Sequence, residues 1–119
     1  MKILSILLIF LSVSVSAAAE KIIEEWECID KSDYFSQNNP ILVVAKVFEG
    51  RKSGTIEVAG VTHKSRFRVA GFERRWDFGL SGSSFTYAFI IEPNGSGQYY
   101  EFKSDATTKP RLFMKCRQK

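Results

Sequence analysis

The sequence predicts an all-β fold, a single small antiparallel meander of about eight strands, built as a barrel or as a β-sandwich, with its first and last strands joined by a disulfide. Three observations carry this expectation. Apolar residues recur with period two, and no stretch of comparable quality repeats at helical spacing. Breaks rich in Gly, Asn, Ser and Pro interrupt the pattern at intervals of roughly eight to twelve residues. The two cysteines of the chain, Cys28 and Cys116, bracket almost everything beyond the N-terminal segment.

That segment has its own logic. A basic start at Lys2, an apolar run from Ile3 to Leu11 and small residues from Ser12 to Ala19 are laid out as in a secretory signal peptide, with cleavage expected after Ala19. The apolar run is shorter than the ~20 residues a spanning helix needs, so no membrane span is expected after cleavage. Residues 1–19 are therefore read as signal peptide and residues 20–119 as one all-β domain of 100 residues in the periplasm or outside the cell. An oxidising compartment favours pairing of two thiols, and two cysteines allow one intramolecular bridge.

The strands follow from alternation. Residues 24–29 place Trp26 and Cys28 on one face, with Glu25 and Glu27 opposite. Residues 32–40 read as a loop because Ser36, Gln37, Asn38, Asn39 and Pro40 are turn formers. Residues 41–49 are nearly continuous in apolar character, which suits a strand covered on both faces or set centrally. Gly50 to Gly54 turns the chain into a strand at 55–59, and Gly60 separates that from a cleanly alternating strand at 61–70. In the latter, Val61, His63, Ser65, Phe67 and Val69 share one face, with Thr62, Lys64, Arg66 and Arg68 on the other. Beyond Gly71 the phase of Phe72, Arg74, Trp76 and Phe78 marks an inner face. Residues 80–83 connect to a strand carrying Phe85, Tyr87, Phe89 and Ile91 in one phase. Pro93 to Gly97 is the strongest turn signal, its Asn-Gly pair suited to positive φ, and it predicts a hairpin into residues 98–104. After a loop at 105–110, residues 111–117 place Leu112, Met114 and Cys116 together. Both cysteines thus fall on the apolar phase of the terminal strands, as a buried bridge requires.

Charge divides the chain. Residues 20–33 hold six acids against two lysines, whereas residues 34–119 hold fourteen basic residues against seven acids. A modestly basic body permits attraction to a protein or an anionic polymer but is too sparse for a dedicated nucleic-acid surface. The densest basic feature is the row Lys64, Arg66 and Arg68, with Arg74 and Arg75 beyond the next turn. Residues two apart on a strand lie ~6.7 Å from one another, near the charge spacing of an extended polyanion. Glu57, Glu73 or Asp77 are the acids placed to neutralise that row.

No catalytic group is expected. His63 is the single histidine and lies on the phase of Val61, Phe67 and Val69, which makes it a packed side chain rather than a metal ligand or base. No cofactor or metal motif occurs, and the two cysteines lack Cys-x-x-Cys spacing. The expectation is a non-enzymatic binding protein, acting through a surface loop or the basic strand face. The sixteen aromatic residues also admit a small-ligand-binding barrel, although such side chains ordinarily fill their own interior.

The loop is Ser81-Gly82-Ser83-Ser84-Phe85, with Ser81 and Ser84 as its candidate contact residues. It resembles the Ser-Gly-x-x-Tyr loop of small periplasmic barrels that inhibit c-type lysozyme. The resemblance extends to the export signal, the size and the all-β pattern, and implies a serine inserted into the enzyme cleft beside a basic residue from a later strand. Phe85 stands where that family has tyrosine, and the first basic residue after Trp76 is Lys103.

Overall fold

In the computed structural model, residues 20–30, 41–102 and 109–119 are described. The expected leader at 1–19, the loop at 32–40, most of the loop at 105–110 and Lys103 lie outside them. Eight antiparallel strands form a closed barrel in chain order. They are β1 (Ile22–Asp30), β2 (Leu42–Phe48), β3 (Ser53–Val58), β4 (Val61–Ala70), β5 (Glu73–Ser81), β6 (Ser84–Ile91), β7 (Ser96–Glu101) and β8 (Leu112–Gln118). Of the two architectures the alternation allows, the barrel is the one formed, because β1 pairs with β2 on one edge and β8 on the other. Among the described residues, closure leaves no strand edge open to another chain.

Cys28 and Cys116 stand directly opposite in the β1–β8 ladder and are bonded, with their Cα atoms 4.0 Å apart. So close an approach belongs to a non-hydrogen-bonded antiparallel pair. The Cys116 N–H agrees, since it donates away from β1 to the carbonyl of Gly95 at 2.8 Å. The acidic first strand also meets the basic end of the chain here. Arg117 reaches Glu27 at 3.3 Å, and Lys119 reaches Glu25 at 3.3 Å and Glu27 at 3.5 Å. The hydrogen bond from Arg117 and the nearby Lys119 charge hold the Glu27 carboxyl below its usual range, and the bond to Glu25 raises the Lys119 ammonium.

An eight-stranded barrel is just wide enough for side chains to fill it. Trp76 and Phe78 on β5, Phe89 and Ile91 on β6, Ile56 on β3, Val43 and Val47 on β2 and Met114 on β8 fill this one, all fully buried. Trp76 packs against Phe67 at 5.0 Å and Phe89 at 6.1 Å between ring centroids. Its indole N–H crosses the interior to the Lys46 carbonyl at 3.0 Å. That carbonyl occupies the space a side chain at position 54 would need, which is why Gly54 stands there. Gly97 is required in the same sense, since a Cβ would lie 2.6 Å from Cys116 Sγ and 3.1 Å from the Phe89 ring. The aromatic residues that would line a ligand cavity are packed against one another instead.

Five local expectations are corrected. Leu80 and Ser81, expected in the connection at 80–83, pair with Phe85 and Ser84 as the end of β5, and Ser53 and Gly54, expected in the turn at 50–54, begin β3, because the ladders continue to these residues. Phe72, assigned to the inner phase, is 84% exposed because residues 71–72 form the turn and β5 starts at Glu73. Strand β2 is buried on one face only; Val44 and Lys46 point outward and are half-buried. Val44 is flanked there by Glu27 and Glu57, whose aliphatic stems suit an apolar neighbour. Strand β7 starts two residues early, at Ser96, and ends at Glu101, since the turn after β6 is held tightly by Gly95 N–H to Glu92 carbonyl at 2.9 Å.

Replacing both Cys28 and Cys116 by Ser is expected to lower stability by about 4 to 5 kcal/mol through loop-closure entropy. Denaturant unfolding of the variant checks this; an unchanged midpoint would mean that closure does not depend on the bridge.

Candidate functional site

The outer face of β4 to β7 brings Arg66, Arg68 and Arg75 together in an order the sequence does not display. Antiparallel register builds two adjacent cross-strand rows. One runs Arg68, Arg75, Ile90, Gln98 and the other Arg66, Asp77, Ala88, Tyr100. Asp77 is 2% exposed although it faces outward, because three arginines enclose it. Arg75 Nε donates to Oδ1 at 2.9 Å, Arg66 Nη2 to Oδ2 at 3.1 Å, and Arg68 Nε lies 3.9 Å from Oδ2. Three guanidinium charges against one carboxylate leave a surplus of two on a rigid sheet surface. The carboxylate orients each guanidinium and leaves further N–H donors on all three.

Of the expected basic row, Arg66 and Arg68 belong to this cluster, and Lys64 stands exposed on the same strand opposite Thr55. The neighbouring pair separates. Arg75 joins the outer cluster, while Arg74 turns to the inner phase. There it donates to Glu24, which also accepts from the Trp26 indole at 2.6 Å and has Arg51 3.5 Å away. Glu24 is 5% exposed, so this acid of β1 belongs to the interior rather than to the surface. Burial pushes its carboxyl upward, but the hydrogen bonds from Arg74 and Trp26 and the charges of Arg74 and Arg51 outweigh that and hold it below the usual range. The Arg74 guanidinium also lies over the Trp26 ring at 5.1 Å, so this end of the barrel is sealed by an ion-paired plug.

The second candidate, the β5–β6 hairpin, places Ser81 opposite Ser84 around a turn at Gly82 and Ser83, with φ of 63° at Gly82. Both serines are exposed, and the Ser84 hydroxyl donates to the Ser81 carbonyl at 3.5 Å. The structure joins this hairpin to the basic face, since the Arg66 guanidinium lies 4.8 Å above the Phe85 ring. Two features widely separated in sequence thus form one continuous surface.

Beside the arginines lies a groove of about 330 Å³ lined by Arg75, Ile90, Tyr100 and Phe102. Tyr100 and Phe102 were not among the expected contact residues, because alternation on β7 gives no sign of which outward aromatics meet a charged neighbour. Their rings lie parallel within 14°, with centroids 5.9 Å apart. A polar chain continues along the face, from Tyr100 Oη to Gln98 Oε1 at 3.1 Å and from Gln98 Nε2 to Glu92 Oε1 at 3.0 Å.

His63 is half-buried and packs on Phe78 at 5.4 Å between centroids. Near it on the inner phase, burial, the Tyr87 hydroxyl and the Glu101 carboxylate push the Tyr99 phenol up to about 12. Among the described residues no group of three His, Cys, Asp or Glu side chains is placed to hold a metal ion, and no helix is long and apolar enough to cross a membrane.

Comparison with known proteins finds no matching family model, no matching curated protein and no matching solved structure.

The Glu24 plug carries a pH dependence. Its depressed folded-state pKa contributes stability that is present above the ordinary glutamate value and lost as pH falls through the folded-state value. Glu24→Gln is expected to cost about 2 to 4 kcal/mol at neutral pH by leaving Arg74 unpaired. The difference from the parent protein should narrow below pH ~4. Urea unfolding across pH checks both; a pH-independent difference would remove the ion pair as its cause.

Proposed function

We propose that this protein is an exported, non-enzymatic binding domain whose outer β4–β5 face engages an anionic partner, a component of the cell envelope. The observation that carries the reading is the convergence of Arg66, Arg68 and Arg75 on the nearly buried Asp77. Surface cations ordinarily lose side-chain entropy when they settle on a ligand. Here one internal carboxylate has already ordered them, while Arg66 and Arg68 keep more than half of their side-chain surface open. A preorganised surplus of positive charge suits oxyanion binding, and arginine forks suit it better than lysine. Export accords with the leader-like N-terminus and with the bridge, which needs an oxidising compartment.

Retention on immobilised heparin, used as a polyanion probe, is expected to fall steeply between roughly 50 and 200 mM salt. It should be lost at low salt in the triple variant Lys64→Gln, Arg66→Gln, Arg68→Gln. Equal retention of parent and triple variant would end this reading.

A second reading has a protein partner at the hairpin, as in the lysozyme inhibitors that its loop resembles. The observation favouring it is the cation over Phe85: Arg66, from an earlier strand, supplies at the hairpin the basic group that the following strand lacks. On that reading the purified protein slows c-type lysozyme on cell walls at micromolar concentration, and Ser81→Arg abolishes the effect. Undiminished lysis in a turbidity assay would dismiss it.

A further inference from the structure

We propose that the groove beside the arginine cluster binds an anionic saccharide, with Tyr100 and Phe102 selecting a sugar ring and Arg75 its charged substituent. The inference rests on the basic-face reading and names its ligand class. Its starting point is that the outer face is divided chemically. Arg66, Arg68 and Arg75 lie on β4 and β5, whereas Ile90, Tyr100 and Phe102 lie on β6 and at the end of β7. Arg75 belongs to both halves, since its Nε is held by Asp77 while the side chain lines the groove. Its remaining guanidinium donors are the ones available to a bound anion.

Apart from Arg75, the groove is lined by apolar and aromatic side chains. Ile90, 9% exposed, lies at its base, and the apolar surface open to a ligand is that of Phe102, 36% exposed, and half-buried Tyr100. A linear polyanion such as polyphosphate has nothing to place on such a surface. A pyranose does, because its C–H face is apolar while its hydroxyls lie around the rim. Those hydroxyls need donors and acceptors in alternation, and the chain from Tyr100 through Gln98 to Glu92 provides both. The groove volume, near the lower end of the ~300 to 1,000 Å³ typical of ligand sites, suits one or two rings rather than a folded chain.

Calorimetric titration of the full chain with four probes tests the inference: a galacturonate tetrasaccharide, glucose 1-phosphate, polyphosphate and poly-glutamate. Binding of the galacturonate or the sugar phosphate is expected, the stronger of the two identifying the preferred anion. Tyr100→Leu with Phe102→Leu keeps an apolar surface but removes the rings, and should weaken saccharide binding roughly tenfold. Polyphosphate binding by that variant should be unchanged, which also reports an intact fold. If ring removal leaves saccharide affinity unaltered, or poly-glutamate binds more tightly than the saccharides, the inference is overturned while the basic face stands. If none of the four probes binds, both are overturned.

Discussion

Everything in this molecule depends on the seam where β1 meets β8. A meander of eight short strands has two free edges until its ends are joined, and only then does the sheet enclose an interior. Three interactions of different kind converge on that seam: the backbone ladder, the Cys28–Cys116 bridge within it, and the ion pairs from Arg117 and Lys119 to Glu27 and Glu25. The covalent link restricts the unfolded chain most, because it closes a loop spanning 88 positions. The surface ion pairs add little to stability but place acidic and basic strands next to each other in one register. They also account for the uneven charge of the sequence, since two acids of β1 are neutralised by the C-terminal strand that lies beside it.

Closure determines what the outer surface can do. With Trp76, Phe78 and Phe89 occupying the barrel axis, recognition falls to the outside of the sheet and to the hairpin tips. The Trp76 hydrogen bond to Lys46 ties β5 to β2 across the interior, so the strand that carries Arg75 and Asp77 is held from within. A rigid strand beneath an arginine cluster is what makes the orientation of those guanidiniums independent of any ligand. At the opposite phase of the same strand, Arg74 seals one end of the barrel against Glu24. Two consecutive arginines therefore do different work solely because a strand alternates its side chains.

Alternation and turn chemistry made the strands legible. Strand β4 matches its expected limits, the Asn-Gly turn closes the expected hairpin, and the cysteines lie on the inner phase of the terminal strands. Phe72 was misread because an aromatic in correct phase is indistinguishable from a core residue until the turn is located. Lys64, Arg66 and Arg68 were visible as a row, since their neighbourhood is a matter of spacing along one strand. Asp77 was one of three acids expected to neutralise that row, and it is the one that pairs with Arg66 and Arg68. The choice among the three, and the placing of Tyr100 and Phe102 beside Arg75, involve other strands. Both depend on register, which sequence spacing within one strand does not encode.

By itself the sequence determined the period-two strands, the positions of the turns, the inner phase of Cys28 and Cys116 and the divided charge. These are local properties, set by backbone sterics and by the alternation of side chains across a sheet. Tertiary structure alone decided between barrel and sandwich, buried Glu24 and Asp77, parted Arg74 from Arg75, and brought Phe85 beneath Arg66. Each of those outcomes is a pairing between residues distant in the chain. It follows from the register and curvature that closure imposes on all eight strands at once.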